Sequence, residues 1–181
     1  LPAHYEPVES AVKNPFYAQQ ESPTAKRWPR PENVYHEPGD PRYPHVLTTY
    51  RLTEHHSGGT PTRSVATTAE LQPEGFAEIP PELAREHGIA NLDWIVLSTA
   101  RGEIETRALV TERLRPFEID GQRIYQIGMP WHYGYKGYAT GAIANDLSSV
   151  AGDPNTTMHE GKALTCGLRK GRIESGVRTT A

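Results

Sequence analysis

Proline placement constrains this chain more than any other feature. Of its 16 prolines, Pro2, Pro7, Pro15, Pro23, Pro29, Pro31, Pro38, Pro41 and Pro44 lie in the first 44 residues. Each fixes φ and removes an amide donor, so neither a long helix nor a central strand survives there. Residues 1–42 are therefore expected to form an extended arm. Tyr5, Phe16, Tyr17, Trp28 and Tyr35 give it too many rings for a free linker. The rings predict an arm that packs on other parts of the protein.

From Tyr43 the pattern changes. "HVLTTY" is β-branched and aromatic, a strand. "TPTRSVATTAELQP" predicts a short helix that stops before Pro73, and "GFAEIP" a short strand. In "PPELAREHG", Pro80 and Pro81 suit a first helical turn and Gly88 suits its end. "DWIVLST" reads as a strand buried on both faces, on which truncation of Trp94 should cost about 3–5 kcal/mol. "RG" makes a turn. "EIETRALVTE" alternates, placing Ile104, Thr106, Ala108 and Val110 on one face of a strand. "IYQIGM" and "ALTCGLRK" add two strands. Short strands with few short helices predict a mainly β fold, a small closed β-structure over residues 43–174, with 175–181 as a tail.

Composition excludes several classes. A net charge of −3 and a pI near 6.3 lack the basic excess of a general nucleic-acid binder. No apolar run reaches the length of a membrane-spanning helix. The single cysteine, Cys166, excludes an internal disulfide and a cysteine-rich metal site, and its place in "ALTCGL" predicts a buried structural thiol. The chain begins at Leu1 rather than Met, which gives the expectation of a piece of something longer.

Two segments carry groups that can do chemistry. In "TTYRLTEHHSGGT", residues 48–60, His55 and His56 are adjacent and on a strand would face opposite ways, a poor chelating pair. Two readings stay open. The segment is a polar surface turn, or it is a ligand cradle in which the Gly58 and Gly59 amides and Arg51 meet phosphate oxygens. In residues 129–156, Trp131, Tyr133, Tyr135 and Tyr138 alternate with glycines and His132. This is either a loop packed on its own rings or a pocket wall for a heterocycle. Asn145 can donate to and accept from a ligand edge, and Asp146 can pair with a ring NH and an exocyclic amine, as guanine presents. Lys162 can neutralise a phosphate. The phosphate-loop, dinucleotide-fold and nucleophile-elbow glycine motifs are all missing from the sequence.

Taken in order, "LPAHYEPVES", "YPHVLTTYRLTEHHSGG", "AELQPEGFAEIPPELAREHGI", "RGEIETRALVTERLRP", "IGMPWHYGYKG" and "IANDLSSVAGDPNT" resemble the C-terminal domain of molybdopterin-dependent formate dehydrogenase catalytic subunits, in the dimethyl sulfoxide reductase family. The resemblance covers essentially the whole chain. It implies a double-psi β-barrel that binds bis(molybdopterin guanine dinucleotide) carrying molybdenum or tungsten. By motif position it places Thr49, Arg51, Leu52, Glu54, His55 and Ser57 on a first cofactor loop. His132, Asn145, Asp146 and Lys162 fall on a later one. His55 becomes a hydrogen-bonding group rather than a metal ligand.

The resemblance also implies what lies elsewhere. The metal's cysteine or selenocysteine ligand, the neighbouring histidine and arginine, and the iron–sulfur cluster's cysteines belong to earlier domains. This chain should then carry no catalytic residue and no metal ligand, and should be inactive alone. Its partners would be the remainder of the catalytic subunit and an iron–sulfur electron-transfer subunit, in cytoplasm or periplasm. Alternatives are a non-catalytic, free-standing barrel and the same domain of a related oxidoreductase such as nitrate reductase.

Overall fold

The computed structural model describes residues 6–174; expectations resting on Pro2, Tyr5 and the 175–181 tail lie outside these. Ten strands and two short helices follow one another: β1 (Lys26–Arg27), β2 (His45–Tyr50), α1 (Ala66–Leu71), β3 (Phe76–Ile79), α2 (Pro81–Glu86), β4 (Trp94–Thr99), β5 (Gly102–Val110), β6 (Phe117–Ile119), β7 (Gln122–Ile124), β8 (Gln126–Pro130), β9 (Ala151–Gly152) and β10 (Ala163–Lys170). A 3-10 turn, Ala144–Asp146, precedes β9.

Six strands close into a barrel in the order β10-β2-β8-β3-β5-β4. The β2/β8 and β3/β5 ladders are parallel and the others antiparallel. This is the mainly β, closed architecture that the short strands and the family resemblance predict. Closure leaves no long edge for a second chain to extend. Inside pack Leu47, Ile79, Ile95, Leu97, Ile104, Ile127, Met129, Leu164 and Cys166, each at most 4% exposed. Burial raises the Cys166 thiol pKa, and the nearby Glu9 charge adds to it, so this sulfur is an inert part of the core.

Local chemistry explains the elements. Pro80 and Pro81 open α2, where no amide partner is needed, and Gly88 at φ +61° ends it, with Ile89 N–H returning to the Ala84 carbonyl at 2.8 Å. β4 is buried on both faces from Ile95 to Leu97, as its unbroken apolar run predicts. Trp94 is a correction. It is only half-buried, because its ring lies at the barrel surface between the guanidiniums of Arg107 (4.1 Å) and Arg172 (4.3 Å). "IYQIGM" is also divided. Ile124 ends a β6/β7 hairpin, turned at Asp120 and Gly121, both at positive φ, and Tyr125 separates it from β8. The Asp-Gly pair is the hairpin signal.

The arm is bound to the barrel at several points. β1 pairs with β9. The Asn33 side chain donates to the Val150 carbonyl (3.1 Å) and accepts its amide (2.7 Å). Glu9 is buried, gripped by both terminal nitrogens of Arg101, and accepts the Thr165 amide at 3.3 Å. Arg101 also donates from Nε to the Leu147 carbonyl at 2.9 Å, tying the arm to the residue after the 3-10 turn. Phe16 and Tyr17 remain exposed.

Candidate functional site

The parallel register of β2 and β8 sets Tyr50 beside Pro130, so the two loops that follow leave the same end of the barrel. Trp131 N–H donates to the Tyr50 carbonyl at 3.0 Å. His132, fully buried, then joins the loops: Nε2 accepts the Leu52 amide at 2.7 Å, and Nδ1 donates to the Ser57 carbonyl at 2.5 Å. These partners fix one neutral tautomer. Burial lowers the His132 pKa, and the charges of His55, Arg51 and His56 add to that against the Ser57 hydrogen bond. Gly59, at φ +84°, is required: a Cβ there would sit 1.8 Å from the His132 carbonyl oxygen.

Arg63 ties the same loops from below. Its carbonyl accepts the amides of Tyr138 (2.8 Å) and Ala139 (3.1 Å), and its guanidinium donates to the Lys136 carbonyl. His55 is buried, with Nδ1 against Thr62 Oγ1 (3.1 Å) and Nε2 donating to the Gln72 carbonyl (2.9 Å). Tyr133 meets the His55 ring edge-on at 5.5 Å. Burial, with the Glu54 and Glu74 charges, pushes the Tyr133 hydroxyl up to about 12.

Two clefts open beside this framework. The first, of about 300 Å³, is lined by Gly58 and Arg63 from the β2 side, by Trp131, Tyr133, Tyr135 and Lys136 from the β8 side, and by Asn145. The second, of about 380 Å³, is lined by Trp28 of the arm, Asn145, Ser148, Val150, Thr157 and His159. Asn145 lies on both, exposed on its 3-10 turn, which makes one run of surface from the glycine-aromatic loop to the arm.

Of the residues singled out in the sequence, Asn145 lines both clefts. Leu52, Ser57, His55 and His132 build the frame through the bonds above. Glu54 is half-buried near Tyr133, and Arg51 is exposed, lining neither cleft. Thr49 is buried in β2, its hydroxyl 3.4 Å from the Gly161 carbonyl. Asp146 is exposed beside Asn145, and Lys162 is exposed just before β10. Trp131, Tyr133 and Tyr135 line the first cleft, whereas Tyr138 does not. Arg63 and Lys136 were not singled out, and Trp28 was read only as one of the arm's packing rings. Lys136 among tyrosines and glycines was a readable signal. Arg63 carries none, and nothing in the sequence tied Trp28 to a cleft, since the fold alone brings both there.

A closed barrel whose loops wall two adjoining clefts has the architecture of a ligand-binding domain. Residues 46–165 match the family described as "Molydopterin dinucleotide binding domain", and the chain belongs to that family. It is 42% identical over 171 residues to "Formate dehydrogenase 2 subunit alpha (cytochrome c-553)" of Nitratidesulfovibrio vulgaris, covering 94% of this chain and 17% of that protein. It is 40% identical over 172 residues to "Formate dehydrogenase subunit alpha" of Megalodesulfovibrio gigas, with the same two shares. "Periplasmic nitrate reductase" of Desulfovibrio desulfuricans is 33% identical over 101 residues, 56% of this chain and 13% of that protein. The chain thus spans about a sixth of the formate dehydrogenase subunits it matches. Among solved structures, "Acetylene Hydratase from Pelobacter acetylenicus" superposes with a TM-score of 0.55 over 76% of this chain and 21% of that one, at 18% identity, a likeness of fold.

Proposed function

We propose that this chain is the molybdopterin guanine dinucleotide-binding portion of a formate dehydrogenase catalytic subunit. The observation that carries the reading is the sharing of Asn145 by two adjoining clefts, in a chain whose relatives over 94% of its length are formate dehydrogenase alpha subunits. A dinucleotide is long and carries a heterocycle at each end. Surface of matching chemistry is present: rings of Trp131, Tyr133 and Tyr135 on one cleft, Trp28 on the other, and an amide between them.

The residues fit the group, and Asn145 with the ring walls would hold it. The framework of Leu52, His55, Ser57 and His132 keeps the loops in position. Arg51, Glu54, Thr49, Asp146 and Lys162 are proposed as further contacts made with the rest of the subunit in place. The chemistry the bound group supplies is two-electron oxidation of formate to carbon dioxide at molybdenum or tungsten, whose protein ligand belongs to another domain. The chain's own work is to bind, orient and shield. Its partners in this reading are the remainder of the subunit and an iron–sulfur protein that takes the electrons.

The test uses the full-length protein that contains this chain. Acid hydrolysis should release GMP together with a fluorescent pterin, and formate should reduce an artificial dye. A native protein that oxidises formate yet contains no pterin overturns the cofactor assignment. A pterin-loaded protein that reduces nitrate and ignores formate overturns the substrate.

A further inference from the structure

The first cleft holds positive charge that the chain does not neutralise. Its lining includes Arg63 and Lys136 and no carboxylate, although the whole chain carries a net charge of −3. Arg63 is 8% exposed, yet among the described residues no carboxylate lies within ion-pairing distance of it. The contrast with Arg101 is direct, since that buried guanidinium is matched by the Glu9 carboxylate. Arg63 donates one bond to the Lys136 carbonyl, and its buried Nε has no hydrogen-bond partner. A buried cation left so is costly unless an anion arrives to meet it.

Glycine lets the loop close over that guanidinium where it borders the cleft. Gly134 lies against its plane, where a Cβ would stand 3.1–3.3 Å from Nη2, Nη1 and Cζ. Any larger residue there would press on the cation. A planar fork of N–H donors at the cleft wall, without a carboxylate partner and with a lysine on the same lining, suits a phosphate rather than a soft metal or an apolar group. The adjoining rings of Trp131, Tyr133 and Tyr135 suit a heterocycle attached to that phosphate.

We propose that Arg63, assisted by Lys136, is the phosphate anchor of the first cleft and grips the diphosphate of the bound dinucleotide. This rests on the cofactor reading above and names the residue that holds the ligand's negative charge.

The experiment uses full-length protein made without its cofactor, with inorganic pyrophosphate as probe in titration calorimetry. Wild type binds pyrophosphate, and affinity falls as ionic strength rises. Arg63→Gln weakens it by about tenfold or more, as loss of a charge-assisted bond does. Arg63→Lys recovers part of the loss. Lys136→Gln, at an exposed site, weakens it less. Pterin and GMP content per folded molecule, measured on protein made with the cofactor, falls in the same order. The thermal midpoint of the cofactor-free protein reports any purely structural role. Equal pyrophosphate affinity per folded molecule in Arg63→Gln and wild type overturns the proposal, whether or not the midpoint drops. If Arg63→Gln does not fold, a wild-type affinity indifferent to ionic strength and to Lys136→Gln overturns it. Wild type that binds pyrophosphate but never carries a pterin leaves an anion site for free phosphate and sinks the cofactor reading alone.

Discussion

His132 accepts the Leu52 amide at one ring nitrogen and donates to the Ser57 carbonyl from the other, so a single buried imidazole couples the loop after β2 to the loop after β8. Removing it strands both groups and leaves a hole. His132→Ala should cost about 2–4 kcal/mol, and amide exchange over residues 52–59 should accelerate. The lowered pKa sets the sign with pH. The neutral ring is favoured in the folded state, so its contribution is present above about 6.5 and is lost as pH falls through the lower folded value. Unchanged exchange in the variant would show that the loops are held by other bonds.

Asn145 lies on both clefts and is exposed, so under the proposed function its side chain serves the ligand and adds little to the core. Asn145→Ala should lower pterin content per folded molecule while changing stability by no more than about 0.5 kcal/mol. Arg51→Ala should act in the same direction but less, because Arg51 lines neither cleft. Unfolding of both variants to the same degree would mark these positions as structural.

Glu9 holds the arm through a buried, two-pronged bond to Arg101. Glu9→Gln leaves the Arg101 charge buried and under-compensated, and should cost about 3–5 kcal/mol. The arm should then become open to limited proteolysis between residues 6 and 40. Burial opposes ionisation of Glu9, but His36 and Arg101 together outweigh it and hold the carboxyl below its ordinary value. Its stabilisation is therefore present above about 4.5 and fades as pH falls through the folded value. His36 runs the other way. Burial works against its charged form, but Glu9 first among its partners raises the pKa, so its contribution is complete below 6.5 and is lost as pH rises through the folded value. An arm equally protected in Glu9→Gln would mean that β1 and Asn33 suffice.

His45 is buried beneath Tyr125 and His87, and burial, with the His87 charge, lowers its pKa from 6.5 to about 4. The neutral ring is the folded form. Acidification from 6.5 to 4 should therefore remove about 3 kcal/mol of stability at this site. His45→Phe keeps a ring and should flatten the acid limb of a stability-against-pH curve. An identical acid limb in that variant would assign the loss to other groups.

Trp94 rests between Arg107 and Arg172 at the surface of the barrel. Half-burial reduces the cavity left by truncation, and each guanidinium adds about 0.5–1 kcal/mol. Trp94→Ala should cost about 2–3 kcal/mol, below the cost of a fully buried aromatic. Denaturant unfolding checks the figure, and Arg172→Ala should reproduce the smaller, cation-dependent part.

The strands most legible in the sequence were those with a strong local pattern. β2, β5 and β10 alternate or run apolar, and α2 carries proline at its start and glycine at its end. Trp94 misled because tryptophan next to Ile95, Val96 and Leu97 looks buried from sequence alone. Only the ladder to β5 sets Arg107 opposite Trp94, and only the segment after β10 brings Arg172 over the same ring. The β6/β7 hairpin was readable in Asp120-Gly121 but was obscured by the apolar run that continues into β8.

The amino-acid sequence by itself determined the extended arm, the mainly β barrel, the inert cysteine, and the two loops rich in glycine, histidine and aromatic rings. Those are legible in patterns of residues near one another along the chain, together with the family resemblance for the barrel's closure. The tertiary structure alone decided that Arg63, Lys136, Trp28 and Asn145 border connected clefts, and that His55 and His132 face inward as braces. Residues 28 and 63 border clefts that share Asn145 only because β2 and β8 run parallel and end together, and because Arg101 and Asn33 fold the arm against the turn that carries Asn145. Contacts between segments so distant in sequence leave no periodicity to read.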